Sequence, residues 1–160
     1  ISFETYVQTI YFDMMIAASN ARLALMAGGR FELRRKASAT LSGKTGLDLD
    51  VFDRYTGKSR DASTLSGGES FEASLCLALG LSDVVQSLAG GIQLDSMFID
   101  EGFGTLDDES LANAINMLAE LSTGNRLVGI ISHVDELKTA IDRKIVVKSG
   151  PQGSSLEVIA

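Results

Sequence analysis

Met97-Phe98-Ile99 and Leu127-Val128-Gly129-Ile130-Ile131 are short runs without a polar side chain. Residues 107–122 between them carry Leu111, Ile115, Leu118 and Leu121 at helical spacing. A strand apolar on both faces, separated from the next such strand by a helix, is the signature of a parallel sheet with helices packed over it. The chain is therefore expected to be α/β, with a mainly parallel sheet covered on both faces and flanked by helices. At 160 residues and 45% hydrophobic content it carries enough apolar surface for one sizeable core.

Other elements frame this unit. Phe71, Leu75, Leu79, Val85 and Leu88 predict a helix from 66 to about 89, broken by Gly90-Gly91. Near the N-terminus, Phe3, Val7, Ile10, Met14, Ala17, Ala21 and Ala24 occupy a/d-type positions over three heptads, and Gly28-Gly29 ends the run. The pattern alone favours ordinary core packing over the end of a coiled coil. Phe31, Leu33 and Arg35 alternate with Glu32, Arg34 and Lys36, and Leu47, Leu49 and Val51 with Asp48, Asp50 and Phe52, which predicts an antiparallel hairpin around a loop at 37–46. Residues 54–64 are polar and turn-rich. Gly124 stops the second helix, a short helix is expected near 135–141, and strands near 144–148 and 155–159 flank Ser149-Gly150-Pro151-Gln152-Gly153. The chain thus divides into a helix at 1–28, a hairpin and loop at 30–62, and a lobe at 63–160.

Composition narrows the function classes. The net charge of −7, with Arg34-Arg35-Lys36 as the one local basic cluster, argues against a broad nucleic-acid-binding surface. The single cysteine, Cys76, excludes a disulfide framework and fits a reducing cytoplasm. No run of 18 apolar residues lacks a polar interruption, so no transmembrane segment is expected. ISFETYV has neither an initiator Met nor the shape of a signal peptide and reads as the start of a segment from a longer chain.

The chemistry sits at the strand ends. One apolar strand runs into Asp100-Glu101 and the other into Ser132-His133. Open α/β sheets bind ligands at the carboxyl ends of their strands, so two carboxylates and the one histidine should converge there. Taken singly, each strand end reads equally well as a solvated turn. A hydrophobic strand ending in Asp-Glu is also the Walker B pattern, in which the Asp serves Mg²⁺ and the Glu polarises a water for attack on a γ-phosphate. Ser66 and Glu69 form a capping box, yet Gly67 and Gly68, poor helix formers, fill the first turn. Glycines there let another molecule approach free N–H groups at a helix N-terminus, which suits phosphate. Gly43-Lys44-Thr45 and Gly57-Lys58-Ser59 mimic the end of a P-loop. The glycine required five residues earlier is Ser38 in one case and Phe52 in the other, so both read as loop chemistry. Asp48 and Asp50 read as the wet face of a strand.

Taken together, these motifs resemble the ABC ATPases. Leu65-Ser66-Gly67-Gly68-Glu69 is similar to their signature, Phe98-Ile99-Asp100-Glu101 to their Walker B, Gly104-Thr105-Leu106-Asp107 to their D-loop and Ser132-His133 to their switch histidine. The runs LSGGESFEASLCLALGLSDVV and GGIQLDSMFIDEGFGTLD resemble the chromosome-maintenance and DNA-repair branch, and within it the SbcC family. The resemblance extends over essentially the whole chain, with Walker A and the Q-loop absent. It implies the C-terminal lobe of an ATPase head, entered by the end of a coiled coil at 1–28 and completed by an N-terminal Walker A lobe of the same polypeptide. Two heads would sandwich ATP. Leu65, Ser66, Gly67, Gly68, Glu69 and Asp107 would serve ATP across the dimer, with Asp100 on Mg²⁺, Glu101 on the attacking water and His133 on the γ-phosphate. Implied partners are a second head, a nuclease subunit and DNA, in a cytoplasmic, nucleoid-associated setting without a membrane. An SMC-type ATPase without a nuclease, a transporter's nucleotide-binding domain and a non-catalytic binding lobe stand as alternatives.

Overall fold

The computed structural model describes residues 2–36, 46–88, 95–123, 126–151 and 153–159. Residues 37–45 of the expected loop at 37–46, with Gly43-Lys44-Thr45, the Gly90-Gly91 break, the Gly124 stop and Gln152 lie outside the described residues.

Helix α1 spans Phe3–Met26, and its first turn is closed by Ser2, whose Oγ accepts from Thr5 N–H at 3.1 Å. It stops where Gly28 and Gly29 turn left-handed, with Gly29 N–H reaching back to Ala24 O. The face it buries is Ile16, Ser19, Leu23 and Met26. This corrects the expectation that the a/d stripe packs into the core. Phe3, Ile10, Met14, Ala17, Ala21 and Ala24 are exposed and Val7 is half-buried. The cause lies in the sequence of α1, which is apolar on more than one side, so its periodicity supports two stripes.

The inner stripe of α1 lies on helix α2, Gly67–Leu88, and on strand β1, Phe31–Arg35. Ser19 sits against Gly80, Cys76 Sγ lies 3.6 Å from Met26 Sδ, and Arg22 pairs with Asp83 at 2.6 Å. Asn20 of α1 bonds both the N–H and the C=O of Leu33, so the middle of β1's outer edge is satisfied by a side chain. Val85 and Leu88, expected on the buried face of α2, are exposed. The stripe passes instead through Leu79, Gly80, Ser82 and Val84, and its small and polar members hide it from an apolar count. By length and composition α2 could cross a membrane. Here it is a core helix, with Leu75, Cys76 and Leu79 buried and Glu72 among them.

The expected hairpin is present as β1 and β2, Leu49–Asp53, antiparallel with Leu33 opposite Val51. A third strand that was not expected, β3 at Lys58–Asp61, extends it. Its KSRD sequence lies mostly exposed on a sheet edge and carries no apolar alternation to betray it. Gly57-Lys58-Ser59 leads from a turn into this strand and opens no helix, so it is not a P-loop.

Strands β4, Ser96–Asp100, and β5, Leu127–Ile131, pair in parallel, with Asp100 opposite Ile131. Helix α3, Asp108–Thr123, connects them and buries Leu111, Ala114 and Leu118. Met97, Ile99, Val128 and Ile130 pack on the core, as does Leu137 of helix α4, Asp135–Ala140. Among the described residues, coverage on both faces does not hold. Phe98 is 69% exposed, and Leu127 and Ile131 on the same pair of strands are also open. The strands are two-faced, but the described helices cover one side. Strands β6, Lys144–Gly150, and β7, Gly153–Ile159, form an antiparallel hairpin whose pairs Ile145–Val158 and Val147–Leu156 are likewise exposed. The architecture is mixed α/β, and β4–β5 is its parallel part among the described residues.

Candidate functional site

The ladder between β4 and β5 runs one residue past the strand, with Glu101 N–H donating to Ile131 O at 2.8 Å. The chain then turns abruptly. Glu101 adopts φ +58°, a left-handed conformation that costs a non-glycine residue on the order of 1 kcal/mol, and Gly102 follows at φ +97°. A Cβ at Gly102 would lie 2.3 Å from the Phe71 ring, so only glycine fits. Phe71 in turn meets Phe103 edge-on, 4.8 Å between centroids. This turn brings Glu101 Oε2 to 2.9 Å from His133 Nδ1, at the ends of adjacent parallel strands. An ionised carboxylate can only accept, so the hydrogen of this bond sits on Nδ1 and Nε2 is left for another partner. Both side chains are open to solvent, as is Asp100. Among the described residues no group of three or more His, Cys, Asp or Glu could hold a metal ion unaided. An exposed Asp-Glu pair does fit Mg²⁺, which takes one or two carboxylates and fills its shell with water and phosphate oxygens.

The second part of the site is the start of α2. Ser66 Oγ accepts from Glu69 N–H at 3.3 Å, and Glu69 Oε2 accepts from Ser66 N–H at 2.9 Å, which completes the capping box. Ser70 N–H is taken by Ser66 O. Among the described residues, this leaves the N–H groups of Gly67 and Gly68 without an internal acceptor. Two free donors at the positive end of a 22-residue helix, beside the Ser66 hydroxyl, suit an anionic oxygen. Leu65 is half-buried and packs on the core, so its contribution is to anchor the turn.

The two glycines do different things. A Cβ on Gly68 would lie 2.8 Å from Thr105 O, whereas one on Gly67 would make ordinary contact, 3.6 Å, with the Thr105 side chain. Gly68 therefore admits the chain's own 102–106 turn. The expectation that both glycines make room for an outside molecule narrows to Gly67. Gly68→Ala is expected to destabilise the fold by about 1–3 kcal/mol through overpacking, and Gly67→Ala by much less. Thermal unfolding of both variants checks this.

Asp107 caps α3, its Oδ1 accepting from Ser110 N–H at 2.8 Å, and this backbone bond holds its carboxyl below the ordinary range. The start of α2, the Thr105–Asp107 turn, Gly28 and Arg30 line one groove of about 550 Å³. Glu72 lies buried in its wall. Burial pushes its carboxyl pKa up, a bond from Ser110 opposes this, and Asp107 and Glu69 add to the rise.

The SbcC/RAD50-like Walker B family model matches residues 40–120, half of the chain, and includes both the start of α2 and the Asp100-Glu101 turn. The chain belongs to the SbcC/RAD50-like family. Among curated relatives, it is 54% identical over 149 residues to the SbcC component of the SbcCD nuclease of Staphylococcus epidermidis and 51% identical over 155 residues to that of Staphylococcus aureus. These alignments take in 93% and 97% of the chain, which spans about 15% of the length of each relative. The fold matches a structure described under ATP-driven dimerization and DNA-stimulated activation of SMC ATPases, with TM-score 0.74 and 15% identity over 98% of this chain and 89% of that one. It also matches the Smc head domain of Pyrococcus furiosus, crystallised with an extended coiled coil and bound to the C-terminal domain of ScpA, at TM-score 0.68 and 15% identity over 98% of this chain and 37% of that one. The architecture is that of the C-terminal lobe of an ABC-type head.

Within this SbcC/RAD50-like lobe, the structure brings Glu101 and His133 together and places Gly67 and Gly68 against the turn that leads to Asp107. Sequence reasoning missed the residues that hold Glu69. Arg60 Nη2 and Arg30 Nη1 each lie 3.4 Å from its carboxylate. Burial works to raise the Glu69 pKa, but the Ser66 N–H and the two arginines outweigh it and leave the group below its ordinary value. Arg30 precedes Glu69 by 39 residues and Arg60 stands on the unexpected strand, so no local spacing announced either.

Proposed function

We propose that the chain is the C-terminal half of an ATP-binding and ATP-hydrolysing head in a DNA-end-processing nuclease complex. The observation that carries this reading is the 2.9 Å Glu101–His133 pair at the ends of two parallel strands, with no P-loop among the described residues. Such a chain holds groups for attack on a phosphate, and the cradle for the nucleotide must come from elsewhere. The curated relatives are named as components of the SbcCD nuclease, which supports a nuclease partner of the SbcD kind, and DNA is what the family resemblance implies the assembly acts on. Nothing in the described residues resembles a nuclease centre. An SMC-type ATPase without a nuclease is the second reading, favoured by fold neighbours that are SMC heads. The sequence relatives favour the first.

In this mechanism Asp100 would hold Mg²⁺, which when bound neutralises phosphate charge. Glu101 has one carboxylate oxygen on His133 Nδ1 and a second free to accept a proton from water. With Nδ1–H on Glu101, His133 would meet a γ-phosphate oxygen only in its doubly protonated form, in which Nε2–H also donates. The Gly67 and Gly68 N–H groups and the Ser66 hydroxyl would contact the γ-phosphate of an ATP seated on the opposite head. Asp107, at the end of the turn packed on Gly68, would report across that interface.

Two open apolar surfaces support the missing parts. The bare face of β4–β5, with Phe98, Leu127 and Ile131, suits an N-terminal Walker A lobe of the same polypeptide. The outward stripe of α1 suits a second helix, as at the root of a coiled coil. The setting this implies is cytoplasmic and nucleoid-associated.

The reading predicts that residues 1–160 alone bind Mg-ATP negligibly and do not turn it over, whereas the complete protein does both. Calorimetric titration is the test. Micromolar binding to this chain by itself would show that the cradle does not lie elsewhere.

A further inference from the structure

The β1–β3 sheet has no part in the mechanism above, yet Arg60 of β3 and Arg30, the residue before β1, both reach a single carboxylate in the turn that faces phosphate. We propose that Arg30 and Arg60 are positioning residues for ATP-driven head association: they grip Glu69 and thereby fix the Ser66–Gly68 backbone in its phosphate-accepting form. This rests on the reading that Ser66–Gly68 contacts the γ-phosphate.

Glu69 is engaged on both oxygens. Oε2 takes the Ser66 N–H at 2.9 Å and Arg60 Nη2 at 3.4 Å, and Oε1 faces Arg30 Nη1 at 3.4 Å. The arginines are themselves anchored. Arg60 Nη1 donates to Thr64 O at 2.7 Å and to Thr64 Oγ1 at 2.9 Å. The Arg30 guanidinium lies 4.4 Å from the centroid of the Phe31 ring, which Arg60 approaches at 5.4 Å, and Arg30 Nη2 is 3.8 Å from Asp53. Phe31 is buried and opens β1, so both cations rest against the sheet, the Arg30 side chain still 44% exposed and that of Arg60 29%.

Two consequences follow. First, a capping glutamate on a surface turn would ordinarily exchange rotamers. Here leaving Ser66 means breaking two ion pairs, and the Gly67 and Gly68 N–H groups stay aimed outward. Second, a lone Glu69 would set a full negative charge within one helical turn of the position where phosphate must arrive. Two guanidinium groups on that carboxylate remove the repulsion. Arg30 also lies just beyond the end of α1, which ties the turn to that helix.

The test uses the complete protein and a non-hydrolysable ATP analogue, with head association followed by light scattering and unfolding followed in parallel. Arg30→Gln and Arg60→Gln are each expected to weaken association on the order of fivefold, in the range of a partly exposed charge-assisted contact. The thermal midpoint should stay near the parental value, and nucleotide affinity of the unassociated head should fall less than association does. In a Glu69→Gln background the same arginine substitutions should add almost nothing, because they act through Glu69. Ser66→Arg is the control for the underlying reading. If it abolishes association while the arginine variants associate normally, the grip is wrong and the turn still meets phosphate. If Ser66→Arg also associates normally, both fall. Arginine losses that persist undiminished in the Glu69→Gln background, or that track a lower thermal midpoint, would overturn the proposal as well.

Discussion

In the complete protein, Glu101→Gln is expected to lower ATP turnover by about 10²- to 10⁴-fold, the usual contribution of a general base, while ATP-driven head closure survives. The amide keeps the size of the side chain but cannot take a proton from water. Its oxygen can still accept from His133 Nδ1, which lies 2.9 Å from the carboxylate, so the strand-end geometry should persist. The left-handed backbone at Glu101 is set by the turn and by the N–H bond to Ile131 O, neither of which needs a charge. The closed, ATP-bound dimer should therefore accumulate. Asp100→Asn should differ in kind, weakening metal-dependent nucleotide binding before any effect on the hydrolytic step. Single-turnover hydrolysis and the size of the ATP-bound complex separate the two variants. Hydrolysis by Glu101→Gln at the parental rate would remove Glu101 from the catalytic role.

The second large effect is expected from Ser66→Arg. Ser66 Oγ closes the capping box through Glu69 N–H, so the substitution removes a cap worth about 1 kcal/mol and each head should still fold. Association should suffer far more. The arginine would fill the space in front of Gly67, whose N–H and that of Gly68 are free to meet phosphate. Hydrogen bonds to a charged group contribute about 1.5–3 kcal/mol each, so loss of two predicts a fall in ATP-driven association of about 10²- to 10⁴-fold. Light scattering with a non-hydrolysable analogue measures it. Parental association would reduce residues 66–68 to a helix cap.

The strand-end chemistry was legible because it is local. Apolar runs fix β4 and β5, and whatever follows each run must lie at the sheet's carboxyl edge, so Glu101 and His133 could be expected together although 32 residues separate them. The capping box was legible for the same reason, since Ser66 and Glu69 lie three apart on one helix. What could not be read were relations between elements. Nothing in the sequence marks which of two apolar stripes on α1 meets α2. The choice follows from Ser19 lying against Gly80 and from Met26 lying beside Cys76. The role of Gly68 depends on the Thr105 carbonyl, 37 residues away, and that of Glu69 depends on arginines from a sheet whose third strand has no hydrophobic signal. The bare face of β4–β5 was invisible for a different reason. A strand apolar on both sides declares that both faces are to be covered, without saying which chain segment covers them.

The central claim is that each chain contributes to two ATP sites, with its signature turn serving one and its Asp100-Glu101 end the other. Mixing complete proteins that carry Ser66→Arg and Glu101→Gln tests this most directly. Each variant alone should be nearly inactive, because both of its sites are damaged. In the mixed dimer the intact signature of the Glu101→Gln chain meets the intact Glu101 of the Ser66→Arg chain at one site, while both lesions fall together at the other. The account predicts that ATP hydrolysis reappears on mixing, well above the sum of the separate variants. Hydrolysis that stays at that sum at every mixing ratio would contradict it and place both groups at the same ATP.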